Sequence, residues 1–290
     1  MNYQCTFCQF RMFENLLKKH QLDEQTKDNI VHDFVEYLAH SDRNKTAPQV
    51  ARDLHKKIRE MIHNDDPYHE EKKYHNHFMQ SYYPELKKKV IESLNPFDTA
   101  LRIAIAGNII DFGPAQDFDI MQTINNTLTS DFAIDQSQEF QKDIQHAETI
   151  LYLGDNAGEI VADKLFIETI NHPNLYFATR GAPIINDITI DDAIQTEMDK
   201  TAKIISNGYD APSTILDNVS EEFMDIYKKA DIIISKGQGN LEGLINEKSP
   251  EIYFLLTVKC QLIGDLIGVQ KGDFVVASNH FIHQNRKEPV

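Results

Sequence analysis

Four short stretches of the chain combine oxygen donors, cationic side chains and glycine in a way that suits phosphate chemistry. GDNAGE at 154–159 offers the Asp155 carboxylate and the Asn156 amide between Gly154 and Gly158, with Glu159 following. Such hard oxygens suit Mg²⁺ or Mn²⁺. The glycines let backbone N–H groups close on an anion where a helix starts. RGAPIIND at 180–187 adds the Arg180 guanidinium, which can hold a phosphate or carboxylate through paired hydrogen bonds, and a second pair of donors, Asn186 and Asp187. SKGQGN at 235–240 sets Lys236 before Gly237 and Gly239, with Asn240 behind them, a pattern suited to an anion. AGNIIDFG at 106–113 places Asn108 and Asp111 among apolar neighbours, where polar groups need partners.

Each stretch has a plainer explanation. Asp155 or Asn156 can be a helix cap, Arg180 a surface ion pair, and Asn186-Asp187 a turn before a helix at Asp191-Asp192. Lys236 can be a solvated loop lysine, although the run before it is apolar and the two glycines after it are costly outside a tight turn. Asn108 and Asp111 can cap the core or floor a pocket. GDNAGE is neither the G-x-G-x-x-G of a dinucleotide fold nor a phosphate loop, which needs Lys-Ser or Lys-Thr after its last glycine.

The elements that carry these residues raise their weight. From about residue 100, short apolar runs alternate with turns and helical segments. The runs lie at 149–153 (TILYL), 175–178 (LYFA), 202–205 (AKII), 232–234 (III), 252–258 (IYFLLTV) and 274–277 (FVVA). Strands apolar on both sides and separated by helices predict a mainly parallel sheet covered on both faces. Ligands bind such sheets outside the carboxyl ends of the strands. GDNAGE, RGAPIIND and SKGQGN each follow one of these runs. Together they put oxygen donors, an arginine and a lysine on one sheet edge, which is what phosphoryl transfer requires. The turn at 206–213 follows another run and is a second candidate for substrate contact.

Residues 1–95 have a different grammar. Phe13, Leu16 and Leu17, then Ile30, Phe34 and Leu38, then Val50, Leu54, Ile58 and Ile62 recur at helical spacing. Thr46 and Pro48 mark the start of the third helix, and a fourth is predicted over 70–94. This stretch reads as an all-helical lobe over 1–95, followed by an α/β core over 96–290.

The chain has 290 residues and a formal net charge of −16, with a pI near 5.1. A field this negative excludes general binding to nucleic acid or anionic membrane. No apolar run is long enough to span a bilayer, and the N-terminus does not read as a secretory signal. Three cysteines, Cys5, Cys8 and Cys260, fit a reducing compartment, so a cytoplasmic location is expected. Cys5-x-x-Cys8 is half of a zinc site, but a pair of thiols without metal is the preferred reading. His63, His69, His75 and His77 are expected to lie on a solvated helical surface.

Two other function classes share this sheet. A non-catalytic nucleotide or metabolite binder would gain nothing from carboxylates beside a phosphate, which they repel unless a metal intervenes. An S-adenosylmethionine-dependent methyltransferase would need a glycine-rich first loop that GDNAGEI does not supply.

The same segments resemble the domain-of-unknown-function-89 family, the damage-control metal phosphatases, in its stand-alone prokaryotic branch. Cys5-x-x-Cys8, DPY at 66–68, AGNIIDFG, GDNAGEI, RGAPIIND, SKGQGN and VKC at 258–260 occur in the family's order. The resemblance implies a three-layer α/β/α core with a helical N-terminal region. It also implies one divalent metal (Mn, Mg, Co or Ni) held by Asp155, Asn156 and Asp187, with Asp191 and Asp192 as competitors for the third position. Lys236 falls on the family's loop lysine and, with Asp155, would be catalytic. Asn108, Asp111, Gly158, Glu159, Arg180, Gly237 and Asn240 would face the substrate phosphate. Either Asp155 itself or a water activated by the metal would attack phosphorus. The expected activity is hydrolysis of small phosphorylated metabolites, damaged or surplus. Ser213 stands where the family pattern has glycine.

Overall fold

The computed structural model describes residues 1–19, 22–107 and 120–286. It divides into two compact units, Met1–Pro67 and Tyr68–Val290.

The first unit holds three helices, α1 (Tyr3–Lys19), α2 (Glu24–His40) and α3 (Ala47–Ile62). Its core follows the helical spacing of the sequence. Phe13 and Leu16 of α1, Ile30 and Phe34 of α2, and Val50, Leu54 and Ile58 of α3 are buried, and Phe13 stacks on Phe34 with ring centroids 4.4 Å apart. Thr46 and Gln49 close a reciprocal capping box at the start of α3, with Pro48 in its first turn.

The second unit begins earlier than residue 96. The helix expected over 70–94 is α4 (His69–Glu92), and it belongs with the sheet, so the 1–95 helical stretch is split. The physical reason is its apolar face: Met79, Leu86 and Val90 are buried in the same core as the strands. After α4 come α5 (Pro96–Gly107), α6 (Ile120–Thr129), β1 (Ile134–Asp135), α7 (Ser137–His146), β2 (Ile150–Leu153) and α8 (Glu159–Ile170). The chain continues through β3 (Leu175–Thr179), α9 (Ile190–Gln195), β4 (Lys203–Ser206), α10 (Glu221–Lys229), β5 (Ile232–Lys236) and α11 (Gly237–Leu244). It ends with β6 (Glu251–Thr257), α12 (Gln261–Ile267), β7 (Phe274–Ser278) and α13 (Asn279–Asn285).

The seven strands form one sheet in the order β1-β7-β6-β5-β2-β3-β4. All neighbours are parallel except β6 and β7. Alternation of side chains across each strand separates two cores. Ile150 and Tyr152 of β2 and Ile232 and Ile234 of β5 pack with Met79, Ala104, Ile160 and Phe166 on one face. Leu151, Leu153 and Ile233 pack with Phe223, Leu241, Ile263 and Ile282 on the other. The architecture is therefore three-layered, with α4–α9 on one face and α10–α13 on the other. From β2 the chain winds to β3 and β4 on one side, then crosses to β5 on the other. The crevice between the β2 and β5 ends is thus the topological switch point where such sheets bind ligands.

Candidate active site at the sheet edge

The loop after β2 carries Asp155 and Asn156, and the loop after β3 carries Arg180 and Asp187. The two loops are stitched together by backbone. Asn156 and Asp187 form a β-bridge, Ala157 N–H donates to Asn186 O at 2.9 Å, and Ile188 N–H donates to Asp155 O at 3.0 Å. Asp155 and Asp187, 32 residues apart in sequence, are thereby both held against one guanidinium. Arg180 Nε donates to Asp187 Oδ2 at 2.6 Å and Nη2 to Asp155 Oδ1 at 3.3 Å. Arg180 Nη1 reaches Asn240 Oδ1 at 2.9 Å, and Thr214 Oγ1 donates to the same oxygen at 2.9 Å. Asn240 in turn donates to Gly154 O and Lys236 O at 3.2 and 2.8 Å, which ties the loops after β2 and β5 together. Gly181 packs so closely on the backbone of Gly208 and Tyr209 that a side chain there would collide with it. The turn at 206–213 is fixed against the Arg180 loop by this contact.

Charge is unevenly shared here. Asp155, Asp187, Glu159 and Asp163 are buried carboxylates, while Arg180 and Lys236 are the buried cations they contact. Burial, followed by repulsion from Asp187 and Glu159, pushes the Asp155 carboxyl up to about 8, against the pull of Lys259 and Arg180. Asn156 sits between the acids: its Nδ2 donates to Asp155 Oδ2 at 2.8 Å and to Glu159 Oε2 at 3.2 Å. Both amide hydrogens are therefore spent on carboxylates, and the amide oxygen is the atom left to face a cation.

Three expectations need correction. Lys236 does not face an anion position. Its side chain has 0% exposure, and its ammonium donates to Ala104 O at 2.8 Å and to Glu159 Oε1 and Asp163 Oδ1 at 2.6 Å each. A lysine has three N–H donors, so none is left for phosphate. Gly158 is likewise engaged, since its N–H donates to Asn76 Oδ1 at 2.7 Å. The Asp192 oxygens are engaged away from Asp155, by Lys72, Asn76 and Thr189, and Asp191 is exposed on α9. Gly237 adopts φ of 75°, which explains glycine at the first position of α11. Asn108 and Asp111 lie outside the described residues.

Comparison with known proteins places this geometry. The model of the damage-control phosphatase ARMT1-like domain matches residues 1–275. The chain belongs to that family. A damage-control phosphatase of Pyrococcus horikoshii is 32% identical over 286 residues, covering 97% of this chain and 99% of the relative. A damage-control phosphatase of Archaeoglobus fulgidus is 32% identical over 262 residues, covering 87% and 90%. The crystal structure of a DUF89 family protein from P. horikoshii superposes with a TM-score of 0.89 at 30% identity, covering 96% of this chain and 99% of that one.

The family signature leaves out several residues that the fold brings to the site. Asp163 shares the Lys236 ammonium with Glu159 and accepts Tyr152 Oη–H at 2.7 Å. Burial and Glu159 push its carboxyl up to about 7 against the opposing pull of Lys236. Burial works against the Lys236 charge, but Asp163 and Glu159 outweigh it and hold its pKa above the usual lysine value. The sequence signal was present: Glu159 and Asp163 stand four apart, on one face of an otherwise apolar helix start. Lys72 and Asn76 show the same spacing on α4, without an apolar setting to mark them. Lys259 does lie in the family's VKC segment, although no role followed from that; it is half-buried and close enough to pull on Asp155.

Outside this region, His32, Asp33 and Glu36 on α2 bring three metal-capable atoms within 4.8 Å of one another, all of them exposed. Cys5, Cys8 and Cys260 form no disulfide. His63, His69 and His77 are exposed as expected, whereas His75 is half-buried beside Gly158, and His63 ends α3 in a left-handed conformation. Among the described residues, no helix is long and apolar enough to cross a membrane.

Proposed function

We propose that this chain is a divalent-metal-dependent phosphatase that hydrolyses small phosphorylated metabolites, with its centre at Asp155, Asn156 and Asp187. The observation that carries this reading is the charge surplus. Two carboxylates from separate loops are bonded to one guanidinium, Glu159 lies near enough to repel Asp155, and Asp155 is pushed up to about 8. One doubly charged cation answers that surplus. The donors, two carboxylates and an amide oxygen, are the hard ligands that Mn²⁺, Mg²⁺, Co²⁺ or Ni²⁺ accept. Their relatives' name, damage-control phosphatase, supports the same chemistry.

A divalent cation bound here supplies charge neutralisation at phosphoryl oxygens and acidifies a coordinated water. The residues of the chain do the rest. Asp155 and Asp187 hold the cation from opposite loops. Asn156 adds an oxygen whose direction is set by the two carboxylates behind its amide nitrogen. Arg180, anchored through Asp187 and Asn240, meets the substrate phosphate from the β3 side, and Lys259 meets it from the β6 side. Lys236 does not touch substrate. It holds Glu159 and the start of α8 in place.

Release of inorganic phosphate from p-nitrophenyl phosphate, with Mn²⁺, Co²⁺, Ni²⁺ or Mg²⁺ and with a chelator, tests the reading. Hydrolysis should require the cation and disappear in a folded Asp155→Ala variant. Equal rates in the chelator, or near-native hydrolysis by Asp155→Ala, would overturn it. A panel of phosphorylated metabolites then ranks substrates by kcat/KM.

A further inference from the structure

Helix α8 starts directly behind the Asp155-Asn156 loop, and no side chain of its own caps it. Its N-cap is Gly158, with φ of 80°. The first N–H groups of a helix need partners, and here one partner comes from another element. Asn76, on α4 and 0% exposed, accepts the Gly158 N–H on Oδ1 at 2.7 Å. The other end of the same amide turns to α9. Asn76 Nδ2 donates to Asp192 Oδ1 and to Gln195 Oε1, both at 3.1 Å. Asp192 is the third residue of α9. Its Oδ2 accepts the Thr189 N–H and hydroxyl at 2.9 Å each and Lys72 Nζ at 3.1 Å. Thr189 lies two residues after Asp187.

We propose that Asn76 is a positioning residue for the metal centre: one buried amide joins the start of α8, behind Asp155 and Asn156, to the start of α9, behind Asp187, and so sets the distance between the two ligand-bearing loops. The loops are bridged on one side by their own backbone. Asn76 adds a second tie through the two helix starts, so a shift of either start breaks a buried hydrogen bond. Asparagine suits the position because it must accept from Gly158 and donate to Asp192 at the same time. Aspartate would face Asp192 with like charge, and alanine would leave the Gly158 N–H and an Asp192 oxygen without this partner. The proposal rests on the cation site argued above.

An exchange of the two side chains supplies the test. Asn76→Ala removes both halves of the clamp. The double variant Asn76→Asp with Asp192→Asn keeps the net charge, reverses the hydrogen bond between the two positions, and needs the Gln195 amide to turn over so that its nitrogen donates to the new carboxylate. The new aspartate accepts from Gly158, and the new asparagine donates to it while its oxygen still receives Thr189 and Lys72. Mn²⁺ affinity is measured by calorimetry on the full chain, with thermal unfolding and amide exchange of Gly158 followed alongside. Asn76→Ala should weaken Mn²⁺ binding by about 10–100-fold, the range typical of outer-shell partners. Excess Mn²⁺ should then restore most of kcat for p-nitrophenyl phosphate, with KM little changed. The exchanged pair should bind Mn²⁺ within about threefold of the native chain, well short of an outer-shell loss. Native Mn²⁺ affinity in Asn76→Ala overturns the proposal, and so does an exchanged pair that folds but binds as weakly as Asn76→Ala. If Asn76→Ala does not fold, the exchanged pair alone decides. If the native chain binds no Mn²⁺, the cation reading fails. Gly158 exchange then judges the clamp separately, and unchanged protection in Asn76→Ala overturns it.

Discussion

Two strand ends meet at the switch point of this sheet, and they treat charge in opposite ways. At the end of β5, Lys236 turns inward. Its ammonium is closed off by a carbonyl, Glu159 and Asp163, and Tyr152 adds a hydroxyl to Asp163. After β2, Asp155 and Asn156 turn toward the neighbouring loop, where Asp187 brings a second carboxylate and Arg180 is bonded to both. Both clusters are buried and both contain two acids and one base. They differ in how the surplus is met. The first is an anchor in which each hydrogen of the ammonium has its acceptor. The second is spread over two loops at the binding edge and gathers oxygens, including an amide oxygen aimed by its neighbours. A cation at a strand end is therefore no guide to phosphate binding until its donors have been counted.

The contrast breaks most visibly at Lys236. Lys236→Met leaves Glu159 and Asp163 buried without their cation, which costs roughly 3–5 kcal/mol. Urea unfolding should show that loss, and a variant as stable as the native chain would remove the anchor reading. Asp155→Asn should act the other way. It should lose Mn²⁺ affinity by more than the roughly 10–100-fold of an outer-shell change, while the metal-free chain unfolds at a higher temperature at pH 8.5, because a neutral amide replaces a disfavoured charge.

A pH series sharpens the comparison next. Asp155 is pushed up to about 8 from its ordinary 3.8, so the folded metal-free chain holds this proton more tightly than the unfolded one. The stability this gives is fully present below about pH 4 and is lost as pH rises through about 8. Mn²⁺ must displace the proton, so its affinity should climb about tenfold per pH unit up to that region and then level off. Thermal shifts with and without Mn²⁺ from pH 6 to about pH 9 would show this widening gap, and a constant gap would contradict it. The smallest effect belongs to Tyr152→Phe. It removes one hydrogen bond to Asp163, should cost about 1 kcal/mol, and should leave Mn²⁺ affinity unchanged by calorimetry.

Much of this was legible in the chain. The apolar runs named six of the seven strands of the sheet, because strands buried on both faces leave uninterrupted hydrophobic stretches. β1, only two residues long, is too short to leave a pattern. Motif order also pointed to Asp155, Asn156, Asp187 and Arg180, which the fold brings together. The sequence did not reveal which way a strand-end side chain turns. Lys236 follows an apolar run and precedes glycine whether it points to a ligand or beneath α8, and only the partner Asp163, 73 residues away, decides. Asn76 was illegible for a related reason. Its work is to join two helix starts distant in sequence, and α4 carries it on a mixed surface with no local mark. The boundary near residue 95 moved because helical spacing reveals a buried face but not what buries it.

Calorimetric titration of Mn²⁺ into the native chain, Asp155→Asn, Asp187→Asn and a His32→Ala/Glu36→Ala double variant tests the central claim most directly. The account predicts one tight site per chain, lost in either aspartate variant and untouched by changes to the exposed α2 cluster. Tight binding that survives both aspartate changes, or that vanishes with His32 and Glu36, would contradict it.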